Sequence, residues 1–272
     1  MSLCIAVASG KGGVGKSVFT ANIAAALALQ GCRTIIIDAD IGLRSQDVLL
    51  SLENRVVYDL IDLAECCCLP EQAILNHESI PCLYLLPSAQ FSRAKNLHPK
   101  HLKRIISELR CSYDYILIDC PAGIERGLRN VLNAGVESII LVTNPDDISL
   151  RSTERARQIA EEKQISDIRL VVNRVDEKMI SSGEMYSART ASEILDLPLL
   201  GEIPEDPAVY RSILQHSLFI KYDCKARNAI LRIVSRIQGK NVPFQIYDKK
   251  KQSFFHRFRF KPLKEVSPID DH

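Results

Sequence analysis

"SGKGGVGKSVF" (residues 9–19) decides the fold. Gly10-Lys11-Gly12-Gly13-Val14-Gly15-Lys16-Ser17 satisfies the spacing GxxxxGK[ST], a glycine-rich turn that cradles phosphates. Its glycines permit backbone conformations that a side chain forbids and let N–H groups approach phosphate oxygens closely. In this pattern Lys16 is placed to hold β- and γ-phosphates, and Ser17 to offer its hydroxyl to Mg²⁺. The turn follows the apolar run at residues 3–8 and opens a helical pattern from about residue 16, which adds the positive end of a helix. A phosphate loop needs one lysine. This loop holds a second, Lys11.

Outward from the loop, apolar runs of strand length recur: residues 3–8, 33–38, 83–87, 115–119, 138–143, 168–173 and 199–204. They are continuous rather than alternating, as in strands covered on both faces. Helical patterns lie between them, among them 16–30, 99–110, 149–163, 207–216 and 225–237. Strand and helix in alternation imply right-handed crossovers. The expected fold is α/β and doubly wound, a mainly parallel sheet of about seven or eight strands with helices on both faces, as in P-loop NTPases. This pattern ends near Gly239, which predicts an ATPase-type domain over 1–239 and a separate basic tail over 240–272.

The totals fit a globular chain. Of 272 residues, 46% are hydrophobic and 25% charged, and no apolar run approaches the length of a membrane-spanning helix. "MSLCIAVASG" has no basic segment ahead of its apolar run, against a secretory signal. Nine cysteines, three of them consecutive (Cys66, Cys67, Cys68) and none in a CxxC pair, predict reduced thiols and no zinc site. Cys4, Cys32 and Cys120 adjoin apolar runs as small core residues. The net charge of +2 hides an asymmetry. Residues 240–264 carry eight Lys or Arg against one Asp, and the last eight residues add three acids, which leaves −2 for residues 1–239. A near-neutral body argues against a broad nucleic-acid surface and for a specific task at the C-terminal end.

Magnesium at a phosphate loop needs a further carboxylate from a neighbouring strand end. "YILIDCPAG" supplies Asp119, and "IIIDADIGLR" offers Asp38 and Asp40. Asp38 and Asp119 are expected to hold the metal's water shell, and Asp40 to orient the attacking water.

With "DADIGLR", "DCPAGIE", "TNPD", "VVNRV" and "IPED" in that order after "GKGGVGKS", the chain resembles the deviant Walker A ATPases of the MinD/ParA family, and among them the septum-positioning branch. The resemblance runs from residue 3 to about 260. It implies ATP hydrolysis with Mg²⁺ and a face-to-face homodimer around two ATP molecules. It also gives Lys11 a role: the early lysine crosses the interface to the partner's phosphates. A lysine delivered only on dimerisation stabilises phosphoryl-transfer charge as an arginine finger does. On the same resemblance Asp40 is the water-positioning acid of switch I, Asp119 the Walker B acid, and residues 119–125 switch II. Asn173 contacts adenine, helped by Pro204, Glu205 and Asp206. After Arg44 the family pattern has Asn where this chain has Ser45.

In the tail "KKKQSFFHRFRF", Phe254, Phe255 and Phe258 fall within an arc of about 100° on a helical wheel. Lys249, Lys250, Lys251, Arg257 and Arg259 surround them, so a short amphipathic helix near 249–260 reads as a membrane-surface element on anionic lipid. Phe260 points away and Pro262 stops the helix. The expected location is cytoplasmic, peripheral on the inner face of a bacterial cell membrane. The resemblance implies a MinC-like inhibitor as partner, with a MinE-like activator or a DivIVA-linked adaptor. Three alternatives remain. A flagellar-number (FlhG-type) ATPase carries an activator segment ahead of the loop strand, which here begins at residue 3. A ParA-type DNA partition ATPase needs a basic patch on the body. A metallocluster carrier needs interface cysteines, for which Cys120 is the candidate.

Overall fold

The computed structural model describes residues 2–42, 44–89, 97–123 and 126–244. In the first half, β1 (Leu3–Ala8) leads through the glycine loop into α1 (Lys16–Leu29), and β2 (Thr34–Asp38) into the one-turn helix α2 (Gln46–Leu49). Then come α3 (Leu60–Ala64), α4 (Pro70–Ala73), β3 (Leu75–Asn76), β4 (Leu83–Leu86), α5 (Pro99–Leu109) and β5 (Tyr115–Asp119). The second half runs α6 (Arg126–Leu132), β6 (Ser138–Thr143), α7 (Asp147–Glu162), β7 (Asp167–Val175), α8 (Glu177–Ser182) and α9 (Ala188–Leu195). It closes with β8 (Leu199–Pro204), α10 (Pro207–Leu214), a 3₁₀ turn at Phe219–Lys221 and α11 (Lys225–Ile237).

The eight strands form one sheet in the order β3-β4-β2-β5-β1-β6-β7-β8. Every pairing is parallel except that of the two-residue edge strand β3. The continuous apolar runs have the predicted cause, because both sheet faces are covered. Ile5, Val7, Ile36, Leu117 and Ile140 pack on one side with α1 and α11. Ala6, Ile35, Ile37, Ile116 and Ile139 pack on the other with α5, α6 and α7.

The helix α1 is buried almost all round, from Phe19 to Ala28, because α11 lies over it. Alanine dominates this stretch for that reason. A larger side chain at Ala24 or Ala25, both 0% exposed, would overpack the layer at a cost of about 1–3 kcal/mol.

The strands and helices read from the sequence between residues 3 and 237 are all present, with no end moved by more than two residues. The helix α7 starts at Asp147 rather than 149, since the Asp146 side chain accepts from Ser149 N at 2.9 Å and caps it. The helix α10 stops at Leu214, short of 216, where His216 adopts a left-handed φ of 48°. The tail residues expected to face a membrane, Lys250, Phe254, Phe255, Arg257 and Phe258, lie outside the described residues. So do 124–125 of the expected switch II.

Candidate active site

The site forms where the carboxyl ends of β1, β2 and β5 meet the start of α1, at the centre of the sheet, where ligands of open α/β sheets bind. Register brings its acids together, because Asp119 lies beside Val7 on one side and beside Asp38 on the other.

The loop between β1 and α1 can be built only with glycine at two points. Gly15 caps α1 with φ 93°, and a β-carbon there would run into the Asn173 amide. A β-carbon at Gly10 would collide with the Ser152 carbonyl of α7. The loop is therefore clamped from two neighbouring elements.

Lys16 turns inward. Its ammonium lies 2.6 Å from Asp119 Oδ1, and the two side chains are 5% and 0% exposed. The Thr20 hydroxyl lies 3.0 Å from the Lys16 carbonyl and 3.3 Å from the same carboxylate oxygen. Burial alone would lower the Lys16 pKa, but the charge and hydrogen bond of Asp119 outweigh it and raise it.

Gln46, at the start of α2, completes the cluster. Its side-chain NH₂ donates to Asp119 Oδ2 at 2.7 Å and to the Ser17 carbonyl at 3.0 Å. Its backbone N–H donates to Asp38 Oδ2 at 3.1 Å, while Asp38 Oδ1 accepts from Asp40 N at 3.0 Å. Even so, burial and the neighbouring Asp119 raise the Asp38 pKa. Asp40 is half-buried, and its pKa too is raised, chiefly by burial. Sequence reasoning missed Gln46. It sits inside "RSQD", and only the fold reveals that it bridges two strand ends.

Three carboxylates thus gather around one ammonium, and Gln46 Oε1 is buried with no partner among the described residues. That surplus of negative charge and the orphaned acceptor fit a divalent cation with bound water. Mg²⁺ in such a site keeps several waters and takes phosphate oxygens as ligands. Ser17, Asp38 and Asp119 are the residues that would hold it.

Beside the loop, Gly15, Phe19, Asn173, Pro204, Glu205 and Asp206 line a single cleft. Asn173 Nδ2 donates to the Val14 carbonyl at 2.7 Å, tying the end of β7 to the loop. The Asp206 carboxylate accepts from Ala208 N at 2.9 Å and Ala226 N at 3.1 Å, so it caps α10 and orders the start of α11. That occupation leaves Asp206 its backbone, rather than its side chain, for a ligand.

Comparison with known proteins matches this geometry. The ParA family profile, described as NUBPL iron-transfer P-loop NTPase, covers residues 1–238. The septum site-determining protein MinD of Bacillus subtilis is 36% identical over 263 residues, 95% of this chain and 97% of the relative. The chain belongs to the MinD family of P-loop ATPases. Among solved structures, MinD from the MinC:MinD cell division complex of Aquifex aeolicus superposes with a TM-score of 0.84. It is 33% identical and covers 90% of this chain and 99% of that one. MinD of Pyrococcus horikoshii, complexed with Mg-ADP, superposes at 0.77 with 30% identity, over 87% and 96% of the two chains.

Within this MinD-family site Lys11 stands apart from the cluster. It is exposed, its carbonyl accepts from the Ser9 hydroxyl at 3.0 Å, and none of the ion pairs among the described residues includes it. Cys120, the cysteine singled out beside switch II, is wholly buried, and burial pushes its thiol pKa far up. It is a core residue and not a ligand poised at a surface.

Proposed function

We propose that this MinD-family ATPase positions the division septum: it dimerises on Mg-ATP, binds anionic membrane through residues 240–272, and recruits a MinC-like inhibitor. The observation that carries this reading is the pairing of a buried Lys16–Asp119–Gln46 cluster with an exposed Lys11 on one loop. The septum-site relatives match the chain nearly end to end, and one of their structures is a complex with MinC.

The chain's own residues suggest the sequence of events. ATP phosphates enter the loop and draw Lys16 from Asp119. Asp119, still held by Gln46, would then be free to help hold Mg²⁺, which would neutralise charge on the phosphate oxygens. Asp40, half-buried with a raised pKa, orients the attacking water. Lys11 reaches the partner's phosphates, and without that negative charge two facing cationic loops would repel each other. Dimerisation therefore follows the triphosphate. Asn173, with the backbone of Pro204, Glu205 and Asp206, takes adenine.

Membrane residence follows from two tails acting together. Each partly buried Phe contributes about 1–2 kcal/mol, and each nearby basic residue about 1 kcal/mol on anionic lipid. Ordering the segment costs about 1–2 kcal/mol per residue of backbone. One tail binds weakly, whereas two tails on one dimer gain about 10²–10⁴-fold through effective concentration. A MinE-like activator or a DivIVA-linked adaptor would act on the dimer at the membrane.

Sedimentation with anionic liposomes tests this reading. With ATP the protein pellets and carries a MinC-like partner down with it. With ADP, or after deletion of residues 249–272, both stay in solution. Equal pelleting in all three conditions would discard the switch.

A further inference from the structure

A second pocket, of about 220 Å³, opens at the C-terminal end of α2, the helix whose first residue, Gln46, belongs to the nucleotide cluster. Three chain segments wall it: the turn after α2 at residues 49–52, the hairpin at His77–Ser79, and residues 216–221 after α10. The first and third segments face each other in unusual conformations. Ser51 has φ 56° and His216 has φ 48°, both left-handed, and the Ser51 hydroxyl donates to the His216 carbonyl at 2.6 Å. Each directly follows a helix C-cap, Leu50 for α2 and Gln215 for α10, so the ends of these two helices are joined at the pocket wall.

The donors left over in this pocket define its chemistry. The Ser51 hydroxyl is occupied by His216, and the Ser217 hydroxyl lies 3.0 Å from the Tyr222 hydroxyl, which in turn donates to Gln215. Lys221 Nζ donates one proton to Ser79 Oγ at 3.0 Å, which leaves two ammonium protons and the Ser79 hydroxyl proton free. None of the ion pairs among the described residues includes Lys221. His77, 8% exposed, accepts from Ser79 N and Ile80 N on Nδ1, both at 3.1 Å. Those two bonds fix its proton on Nε2, a donor with no bond of its own among the described residues. The one carboxylate on the rim, Glu78, already pairs with Arg55 at 3.2 Å.

We propose that this pocket is a binding site for a small phosphate-bearing anion, gripped by Lys221, Ser79 and His77, with His216 on its wall. Its size suits a hydrated tetrahedral oxyanion, since one liquid water occupies about 30 Å³. The charge is right as well: no ion pair among the described residues includes Lys221, and burial first, with Lys221 second, lowers the His77 pKa, which keeps its imidazole a neutral donor. The site shares α2 with the nucleotide cluster but none of that cluster's residues.

The test uses the full chain saturated with Mg-ADP, so that the phosphate loop is filled. The imidazole NMR signals of His77 and His216 are followed while inorganic phosphate, glycerol phosphate or acetate is added. Saturable shifts of both signals with a phosphate compound but not with acetate are expected. The tighter of the two phosphate compounds tells free phosphate from a phosphomonoester. Lys221→Gln, on an exposed side chain, should weaken binding at least about tenfold, equal to 1.4 kcal/mol, and Ser79→Ala should weaken it by less. Signals unmoved by either phosphate compound, equal shifts with acetate, or unchanged affinity in Lys221→Gln would overturn the site.

Discussion

Lys16 rests 2.6 Å from Asp119, so ATP must take the loop lysine from a carboxylate and not from water. What keeps Asp119 in place through that exchange is Gln46. Replacing it (Gln46→Leu) leaves Asp119 Oδ2 and the Ser17 carbonyl buried without that donor. The expected loss is about 1–3 kcal/mol, read as a lower urea midpoint at unchanged slope, together with slower ATP hydrolysis. Wild-type stability in this variant would show that the bridge is idle. Asp38 gives a pH-dependent signature. Its folded pKa is raised above the ordinary aspartate value, by burial first and Asp119 second. Below that value both states hold the proton. As pH rises through the window up to the raised folded pKa, the unfolded chain releases it while the folded chain retains it, so stability falls. Urea unfolding of the nucleotide-free protein from about pH 4 upward should show this decline, and Asp38→Asn should flatten it. A slope unchanged by the substitution would assign the decline to another group. That Lys16, Asp38 and Asp119 meet at one place was legible beforehand, because a fixed motif spacing and strand ends mark them. Gln46 was not, since neither its neighbours nor any periodicity signals a bridge between strands.

Among the elements, legibility followed length. The seven strands read from apolar runs are all in the sheet, because burial on both faces leaves few polar interruptions, such as Arg169 and Glu202 in the two strands at one edge. The antiparallel β3 went unread because two residues carry no period. The helices α2 and α8, of four and six residues, are too short for a 3.6-residue repeat to show. The helix α11 shows how the body meets the tail. Arg236 donates to the carbonyls of Leu200 at 2.9 Å, Val242 at 3.1 Å and Pro243 at 2.9 Å, and its guanidinium stacks 3.9 Å from the Phe244 ring centre. One side chain therefore ties β8, α11 and the first tail residues together. Arg236→Ala should cost about 1.5–3 kcal/mol through these charged hydrogen bonds. It should also expose residues 241–244 to limited proteolysis well before the body is cut. Cleavage there at the wild-type rate would mean that Phe244 and its neighbours hold the segment without the clamp.

At the scale of the whole molecule, charge and exposure point in one direction. Along the sequence the body is at −2 and the segment 240–264 at +7, so the basic charge on which the proposed membrane contact rests is separate in the chain from the residues of the nucleotide cluster. Of the two loop lysines, Lys16 is enclosed and paired with Asp119, while Lys11 is exposed and in none of the ion pairs among the described residues. A lysine that does nothing for its own subunit's cluster is free to serve a partner's. Lys11→Ala should therefore leave folding and ADP affinity intact, because the loop glycines, Lys16 and the Asn173–Val14 contact remain. What it should remove is the ATP-induced dimer, seen by light scattering on a sizing column, and with it a trans charge comparable to an arginine finger. Those fingers are worth about 10³–10⁵ in turnover, and a loss approaching the lower figure is expected here. A Lys11→Ala protein that still dimerises with ATP and hydrolyses it at the parent rate would make Lys11 a solvated loop charge, and the link between nucleotide and assembly would then have to be sought at the γ-phosphate contacts of residues 119–123.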